Sequence, residues 1–598
     1  MNSSSTSLLL CCVIFIASCT SSSKNKPASK LVSLQPLLHS YYEDHLKLNP
    51  IEATQNGDNR YNDQLPNYLS AAFRNQEKAM VKQYLDSLGK YDRSMLSEND
   101  QMSYDVLKWE LSISMEELQY PEELMPINQF WSLTLTMGLL GSGTGNQPFK
   151  TVKDYENWLV RINGFTVWCD TAIGNMRKGM TEGIVYPKIL MERVLPQLKS
   201  ILVTDVTKSL FYQPIVNISS LNFSDEDNQR LTALYTNAVS DQINPSYQKL
   251  YDFIQNEYLP ECRTTPGISN IPGGTDYYQH LIKYWTTTDM NADQVFELGQ
   301  TEVRRIRGEM ENVMKQVEFK GDLKEFFQYI HTDKKFQPFK TDEEVLNAYR
   351  AIEEREKPYL SNLFSVFPQT PFEIRQTEAF REASASAEYN QGTPDGSRPG
   401  VFYVPIVDPA KFNNISMEDL FLHEAIPGHH YQISLQQENN NLPEFRKFIW
   451  YGAYGEGWAL YSESLGKELG LFEDPYQYFG MLSEEMHRAI RLVVDAGIHT
   501  KGWTREQAIQ FSMDNEAESE ADITAEIERY MAIPGQALSY KVGQLKILEL
   551  RSNAEKELGD KFSIAKFHDE ILKDGCLPIA VLEAKMKRWL EQMKGDAS

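Results

Sequence analysis

The sequence is poor in cysteine and, after its first residues, lacks any long apolar run. It has six cysteines in 598 residues, and none of them forms a C-x-x-C pair. This pattern excludes a disulfide framework and a cysteine-based metal site. After residue 18, no segment approaches about 18 uninterrupted apolar residues, the length that a membrane-spanning helix needs. We therefore expect no transmembrane helix in the body of the chain.

Positive charge is also scarce. The chain carries 59 Lys and Arg residues against 83 Asp and Glu residues, which gives a formal net charge of −24. This balance argues against nucleic acid as a partner, because a phosphate backbone would be repelled. Hydrophobic residues make up 41% of the chain and charged residues 24%, a composition that supports a sizeable core and argues against global disorder.

The N-terminus has the features of a bacterial lipoprotein signal. The apolar stretch before Cys19 is too short to span a membrane comfortably, and Ile16-Ala-Ser-Cys19 resembles a lipobox. One departure is that the first six residues carry no Lys or Arg. The protein would be lipid-anchored in the bacterial cell envelope, facing the periplasm or the cell exterior. We predict a signal peptide at 1–18, a lipidated Cys19 with a polar tether at 19–33, and a single helical domain at 34–598.

The rest of the chain has a mainly helical pattern. Apolar residues recur at intervals of three and four, which is typical of helices that bury one face. The clearest helical segments are 34–50, 75–90, 99–118, 151–180, 225–258, 292–317, 341–365, 416–437, 475–500, 504–512, 518–531, 536–558 and 578–594. No alternation of strands and helices indicates a parallel sheet. We therefore expect a mainly α fold.

Two short strands are expected, at 370–376 and 400–406. The second is rich in β-branched and aromatic residues and follows a turn-rich stretch. A strand edge can hold a peptide backbone by pairing with it, which makes Tyr403 a candidate substrate contact. An ordinary connecting hairpin is an equally good interpretation.

Residues 423–430 read His-Glu-Ala-Ile-Pro-Gly-His-His, which differs from the zinc-protease signature H-E-x-x-H. In that signature two histidines four residues apart bind one zinc ion, and the glutamate is the general base. Here Pro427 occupies the fourth position, and on a straight helix neither His429 nor His430 would meet the zinc ion of His423. Proline and glycine together disrupt regular helices, so we predict a bulge that returns His429 to the side of His423. The Gly-His pair also matches the end of the H-E-x-G-H form of the signature, which favours His429, with His430 as the rival ligand.

A zinc peptidase needs a third ligand, and Glu456 is the candidate. The run Gly455-Glu-Gly-Trp-Ala459 resembles the Asn-Glu-Gly-Phe-Ala segment of gluzincin aminopeptidases, in which the glutamate binds the metal. Alone, Glu456 would be interpreted as a solvated helix carboxylate. Its position 33 residues after His423 favours the metal-ligand interpretation instead. Glu463, two helical turns further on, is better suited to support a ligand or the fold.

Four ordered segments carry a family resemblance. They are His423-Glu-Ala-Ile-Pro-Gly-His-His-Tyr-Gln432, Gly455-Glu-Gly-Trp-Ala-Leu-Tyr461, Arg491-Leu-Val-Val-Asp-Ala-Gly-Ile-His499 and Ile533-Pro-Gly-Gln-Ala-Leu-Ser-Tyr-Lys541. They resemble the bacterial domain-of-unknown-function family 885, commonly lipoproteins, which is grouped with the gluzincin metallopeptidases. The resemblance covers nearly the whole mature chain and implies a large helical, cleft-containing fold related to helical carboxypeptidases and oligopeptidases.

The resemblance also implies roles for individual residues. His423, His429 and Glu456 would bind one Zn²⁺ per chain. Glu424 would act as general base on the metal-bound water and pass the proton to the leaving amine.

Further candidate site residues come from the last two segments. Zinc needs help to hold a tetrahedral oxyanion, and Tyr540 is the first candidate donor, with His499 the second. A cation with neighbouring donors would suit the terminal carboxylate of a peptide. The candidates for substrate binding there are Arg529, Tyr530, Gln536 and Lys541. For each of these residues, a position on a helix surface is about as good an interpretation.

The leading hypothesis is a zinc-dependent peptidase that hydrolyses short peptides by Glu-assisted attack of metal-bound water. One alternative is a non-catalytic binding or scaffold lipoprotein on a degenerate peptidase fold, which the Pro427-Gly428 interruption suggests. Another is a zinc hydrolase of a non-peptide amide or ester, because zinc-activated water attacks any such carbonyl.

Overall fold

The computed structural model describes residues 33–377, 386–393, 396 and 398–595. The predicted signal peptide, the lipidation site Cys19 and most of the predicted tether lie outside the described residues. Within them the fold is mainly α, as the sequence predicts. None of the helices in this part of the chain is long and apolar enough to cross a membrane.

The first part of the chain folds into helices that bury one apolar face. They are α1 Gln35–Leu48, α2 Pro50–Gln55, α3 Ala71–Leu88, α4 Glu98–Glu117, α5 Leu133–Gly141, α6 Val152–Glu182, α7 Lys188–Ile201, α8 Gln213–Val216, α9 Asp225–Ala238, α10 Asn244–Phe253, α11 Leu259–Glu261, α12 Gly274–Thr286, α13 Ala292–Gln316, α14 Leu323–Thr332 and α15 Asp342–Leu363. The predicted continuous helix over 225–258 is divided by two π-helical turns, Val239–Ile243 and Ile254–Tyr258. The apolar pattern does not reveal them, because a π-turn adds only one residue to a helical turn.

A three-stranded sheet follows α15. Its strands are β1 Phe372–Gln376, β2 Glu388–Asn390 and β3 Gly400–Val404. β3 is central, parallel to β1 and antiparallel to β2. The two predicted strands correspond to β1 and β3, whereas β2 is too short to show an alternating pattern.

Helices make up the rest of the chain. They are α16 Met417–Glu424, α17 His429–Glu438, α18 Glu444–Phe448, α19 Gly452–Glu463, α20 Pro475–Thr500, α21 Arg505–Met513, α22 Glu520–Ala532, α23 Ser539–Leu558, α24 Ile564–Leu572 and α25 Ile579–Gly595. The predicted continuous helix over 416–437 is wrong, because α16 and α17 are separate. The segment predicted as helix from 536 begins with a 3₁₀ turn, Gln536–Leu538.

Two long helix pairs position the site. α20 packs along α13, and α19 packs along α23. The second pair is very close: a Cβ atom on Gly543 of α23 would lie 1.7 Å from the carbonyl oxygen of Ala453 on α19. α20 is buried throughout its second half, from Ala489 to His499. Polar residues in that half must therefore find partners inside the protein.

Candidate metal centre

Two helices and the break between them carry the His-Glu segment. α16 ends at Glu424, and α17 begins at His429. The backbone leaves helical geometry at Ala425 (φ −107°, ψ −106°) and at Gly428 (φ −74°, ψ −129°). The predicted bulge within one helix is therefore wrong, since proline and glycine end the helix instead. His429 nevertheless lies beside His423, with ring centroids 4.8 Å apart and ring planes at 88°.

Close packing holds the break in place. The carbonyl oxygen of Pro427 accepts a hydrogen bond from Trp458 Nε1 at 2.8 Å, which ties the break to α19. A Cβ atom on Gly428 would lie 1.9 Å from the carbonyl oxygen of His423. No side chain fits in that space, so this position requires glycine because the chain turns back closely on α16.

The side chains of His423, His429 and Glu456 converge. Their ligand atoms all lie within 4.8 Å of one another. Glu456 Oε2 lies 3.7 Å from His423 Nε2 and 3.5 Å from His429 Nε2. Burial acts to raise the pKa of Glu456, but the two histidines hold it well below its ordinary value. Two imidazoles and one carboxylate are a donor set that catalytic zinc sites use, with a fourth position left open.

A second carboxylate lies behind His423. His423 Nδ1 is 2.6 Å from Glu463 Oε1, and the Glu463 side chain is fully buried. An acceptor at Nδ1 holds a proton on that nitrogen and orients the ring so that Nε2 faces Glu456. Burial acts to lower the pKa of His423, but Glu456 and Glu463 raise it well above its ordinary value. The arrangement orients His423 as supporting carboxylates orient histidines in metal sites.

His430, the rival ligand, faces the sheet. Its Nδ1 lies 3.0 Å from the Tyr389 hydroxyl of β2, and its ring centroid lies 4.8 Å from that of Phe372 in β1. Burial lowers its pKa to about 4. Consecutive residues of a helix point about 100° apart, so His429 and His430 face different surroundings. His430 is outside the converging set.

The three converging side chains open onto a cavity of about 820 Å³, which we call the histidine cavity. Its other lining residues include Glu424, Trp450, Glu484, His487, Arg488, Arg491, Glu526, Arg529 and Tyr540. Glu424 reaches this space from the last turn of α16, and burial raises its pKa. A buried carboxyl group beside the ligands is suited to exchange a proton with a bound molecule.

α20 contributes a polar stripe that the sequence reasoning missed. Glu484, His487 and Arg491 follow at intervals of three and four in a mostly apolar helix, a signal that could have revealed them. Burial acts to lower the pKa of His487, but Glu516, 2.5 Å away, raises it to about 9. Arg491 Nη2 donates to Glu526 Oε2 at 3.0 Å. The cavity wall is therefore a network of paired charges.

Tyr540, the first candidate oxyanion donor, and Arg529, a predicted substrate contact, line this cavity. The Arg491 guanidinium lies over the Tyr540 ring, 4.6 Å from its centroid. Arg529 Nη2 donates to Gln536 Oε1 at 2.9 Å. Gln536 thus supports Arg529 and does not itself line the cavity.

His499 and Tyr530 have structural roles instead of the predicted ones. His499 Nδ1 accepts from the backbone N–H of Ile268 at 2.9 Å, and Nε2 donates to the carbonyl oxygen of Tyr530 at 3.0 Å. Both ring nitrogens are therefore occupied, and burial lowers the pKa of His499 to about 3. The buried Tyr530 hydroxyl donates to Glu526 at 2.8 Å and accepts from Arg491 at 3.1 Å. It holds the charge network from behind.

Lys541 and Tyr403 also lack the predicted roles as substrate contacts. Lys541 is fully buried, and its Nζ lies 2.6 Å from Glu485 and 3.0 Å from Glu302. It joins α23 to α20 and α13 and cannot meet a substrate carboxylate. Tyr403 lies in β3, which β1 and β2 flank on both sides, so that strand offers no edge to a peptide backbone.

Comparison with known proteins identifies the family. The chain belongs to the family described as bacterial protein of unknown function, DUF885, which matches residues 50–586. It is similar to the crystal structure of a proposed lipoprotein from Colwellia psychrerythraea, with a TM-score of 0.86 and 28% identity over 93% of this chain and 99% of that chain. It also shares the fold of a proposed lipoprotein of unknown function from Shewanella oneidensis, with a TM-score of 0.74 and 20% identity over 93% of this chain and 100% of that chain. The comparison with curated proteins gives no match. The predicted membership of family 885 is thus confirmed.

Proposed function

We propose that the protein is a zinc-dependent peptidase that hydrolyses short peptides. The observation that carries this proposal is the convergence of His423, His429 and Glu456 within 4.8 Å, beside Glu424 in one cavity. Burying several titratable groups together destabilises a fold unless they are paired or bind something. The convergence of three ligand atoms beside a further buried carboxyl group therefore favours a bound ion over a purely structural role.

The residues present fit a zinc ion. Glu463 holds His423 Nδ1 at 2.6 Å, and the Nε2 atoms of both histidines lie within 3.7 Å of the Glu456 carboxylate. A zinc ion bound there would polarise a carbonyl group and lower the pKa of a bound water towards neutrality. His423, His429 and Glu456 would hold the ion, and Glu463 would orient the first of them.

Glu424 is the proposed general base. Its carboxylate takes a proton from the attacking water and releases that proton to the nitrogen of the leaving amine as the C–N bond breaks. Burial raises its pKa, which suits a group that must hold a proton between these two steps.

Tyr540 and Arg529 are the proposed substrate contacts. The Tyr540 hydroxyl is available to donate to the carbonyl oxygen that gains negative charge during attack. Arg491 stacks on the Tyr540 ring at 4.6 Å and steadies it. Arg529 pairs with Glu526 at 3.2 Å and donates to Gln536 at 2.9 Å, and its remaining N–H groups would donate to a peptide carboxylate.

We also propose a lipid anchor at Cys19. The lipobox-like sequence before this residue supports it, as do the two similar proteins described as lipoproteins. The peptidase would then act at the surface of a membrane of the cell envelope.

Metal analysis of the purified protein tests the ligand set. We expect one zinc ion per chain at neutral pH, its loss in His423→Ala, and its retention in His430→Ala. The second variant is a matched control, since His430 is the histidine that faces the sheet. Absence of zinc from the wild-type protein after incubation with the metal would refute the proposal.

Incubation with a mixed peptide library, followed by mass spectrometry, tests the reaction. The wild type should cleave peptides, whereas Glu424→Gln should keep zinc and lose a factor of about 10²–10⁴ in rate. Undiminished cleavage by this variant would remove Glu424 from the mechanism. Bound zinc without any peptide cleavage would favour a non-peptide amide or ester as substrate.

A further inference from the structure

A second cavity, separate from the zinc ligands, has a volume of about 400 Å³. We call it the aromatic cavity, because Tyr68, Trp131, Tyr284 and Trp285 are among its lining residues. The ring centroids of Trp131 and Trp285 lie 5.6 Å apart, and those of Tyr284 and Trp285 lie 5.0 Å apart. Trp131 is 53% exposed although it is a large apolar residue. Such a concave, aromatic-lined space is typical of small-ligand sites.

Two arginines line the aromatic cavity, but both are already occupied. Arg74 forms an ion pair with Glu123 at 3.3 Å and donates to the carbonyl oxygens of Leu118 and Tyr120. Arg263 donates to backbone carbonyl oxygens, among them that of Gly267 at 2.8 Å. Neither guanidinium is free to bind an anion.

Two carboxyl groups of this cavity, those of Glu117 and Glu122, have fewer hydrogen-bond and ion-pair partners than the arginines. Glu122 accepts a hydrogen bond from the Tyr277 hydroxyl at 2.7 Å. Glu117 forms no side-chain hydrogen bond or ion pair with any residue that the structure describes. Burial, together with the nearby carboxyl groups of Glu122, Glu77 and Glu110, raises the pKa of Glu117 to about 8, although Arg74 acts to lower it. The cavity therefore brings together carboxyl groups whose ionisation a bound cation would favour.

We propose that the aromatic cavity binds a primary alkylammonium group, with its nitrogen between Glu117 and Glu122 and its alkyl chain against the aromatic rings. An ammonium group supplies three donors to the two carboxyl groups, and its positive charge favours their ionised forms. It is also attracted to the faces of tryptophan and tyrosine rings. This proposal does not depend on zinc or on peptide hydrolysis, because none of its residues belongs to the histidine cavity.

Calorimetric titration of the whole protein with n-butylammonium tests the proposal, with 1-butanol as the uncharged analogue. We expect saturable binding of the ammonium compound and at least tenfold weaker binding of the alcohol. Glu117→Gln should weaken ammonium binding at least tenfold. Glu116→Gln is the matched control and should bind as the wild type, because Glu116 is outside the lining and pairs with Lys283 at 2.7 Å.

The same titration with Nα-acetyl-lysine N-methylamide distinguishes two sources of the ammonium group. Tighter binding of this compound than of n-butylammonium would indicate a lysine side chain of a peptide. Equal or weaker binding would indicate a free amine. Equal affinity for n-butylammonium and 1-butanol, or unchanged affinity in Glu117→Gln with its fold intact by circular dichroism, would overturn the proposal.

Discussion

Replacing Glu463 by glutamine tests how strongly the carboxylate behind His423 supports metal binding. Glutamine has the same length as glutamate and can still accept from His423 Nδ1 through its amide oxygen. It lacks the negative charge that makes the imidazole a better ligand. The variant therefore changes the electrostatic support of the ligand and leaves its position nearly unchanged.

The expected size of the effect follows from the contact. The distance between His423 Nδ1 and Glu463 Oε1 is 2.6 Å, and neither side chain is more than 5% exposed, so water screens this interaction little. Loss of such a supporting partner weakens metal binding by about 10- to 100-fold, equivalent to about 1.4–2.7 kcal/mol. Folding should survive the substitution. Burial is the main cause that raises the pKa of Asp419 well above its ordinary value, and the negative charge of Glu463 raises it further. Removing that charge relieves a repulsion.

Competition with a chromophoric zinc chelator measures the affinity. Glu468→Gln is the control, since Glu468 lies outside this cluster and pairs with Arg551 at 3.2 Å, and it should bind zinc as the wild type. A Glu463→Gln protein with wild-type affinity and an unchanged melting temperature would refute the supporting role of Glu463.

Three other substitutions, one of them with a matched control, address the fold. Gly428→Ala should abolish zinc binding and destabilise the protein by about 1–3 kcal/mol in urea unfolding, because the new Cβ would lie 1.9 Å from the His423 carbonyl oxygen. Gly308→Ala is the control: its new Cβ would have no neighbour within 4 Å, so it should stabilise the protein by about 0.5–1 kcal/mol. Trp458→Phe removes the shorter of two hydrogen bonds to the Pro427 carbonyl oxygen and should cost about 1–3 kcal/mol in the same assay; no loss would mean that the break is held by other contacts. Burial raises the pKa of Asp495 from 3.8 to about 7, so its contribution to stability is full below about pH 4 and is lost as the pH rises to about 7. The melting temperature of Asp495→Asn should therefore gain on that of the wild type across this range, and a constant difference would contradict the assignment.

Local sequence patterns predicted much of the fold. The helix starts are examples: the predicted segment from 292 corresponds to α13, where the Asn291 side chain accepts from the backbone N–H of Gln294 at 2.9 Å. Such capping depends on neighbouring residues alone, so the sequence reveals it. The strands β1 and β3 were also predictable from their residue types. β2 and the π-turns were not, because they are too short to leave a periodic signal.

The candidate site was only partly predictable. His423, His429 and Glu456 were selected because a chemical pattern survives the interruption of the helix. The roles of His499 and Lys541 could not be read from the sequence, because both depend on burial against segments far along the chain, such as Ile268 and Glu302. Tertiary contacts of this kind decide whether a polar residue faces a cavity or the interior.

The helix break gives the proposed metal ion a mechanical role. In the H-E-x-x-H signature both histidines lie on one helix, so the helix already fixes their relative positions. Here the histidines lie on separate helices, α16 and α17, and a bound ion would link the two helices across the break. An ion that binds only when α16 and α17 are correctly placed stabilises that arrangement against local unfolding. Amide hydrogen exchange measures such local unfolding. Exchange at Gln432, whose N–H donates to the Gly428 carbonyl oxygen at 3.0 Å in the first turn of α17, should therefore slow when zinc is added.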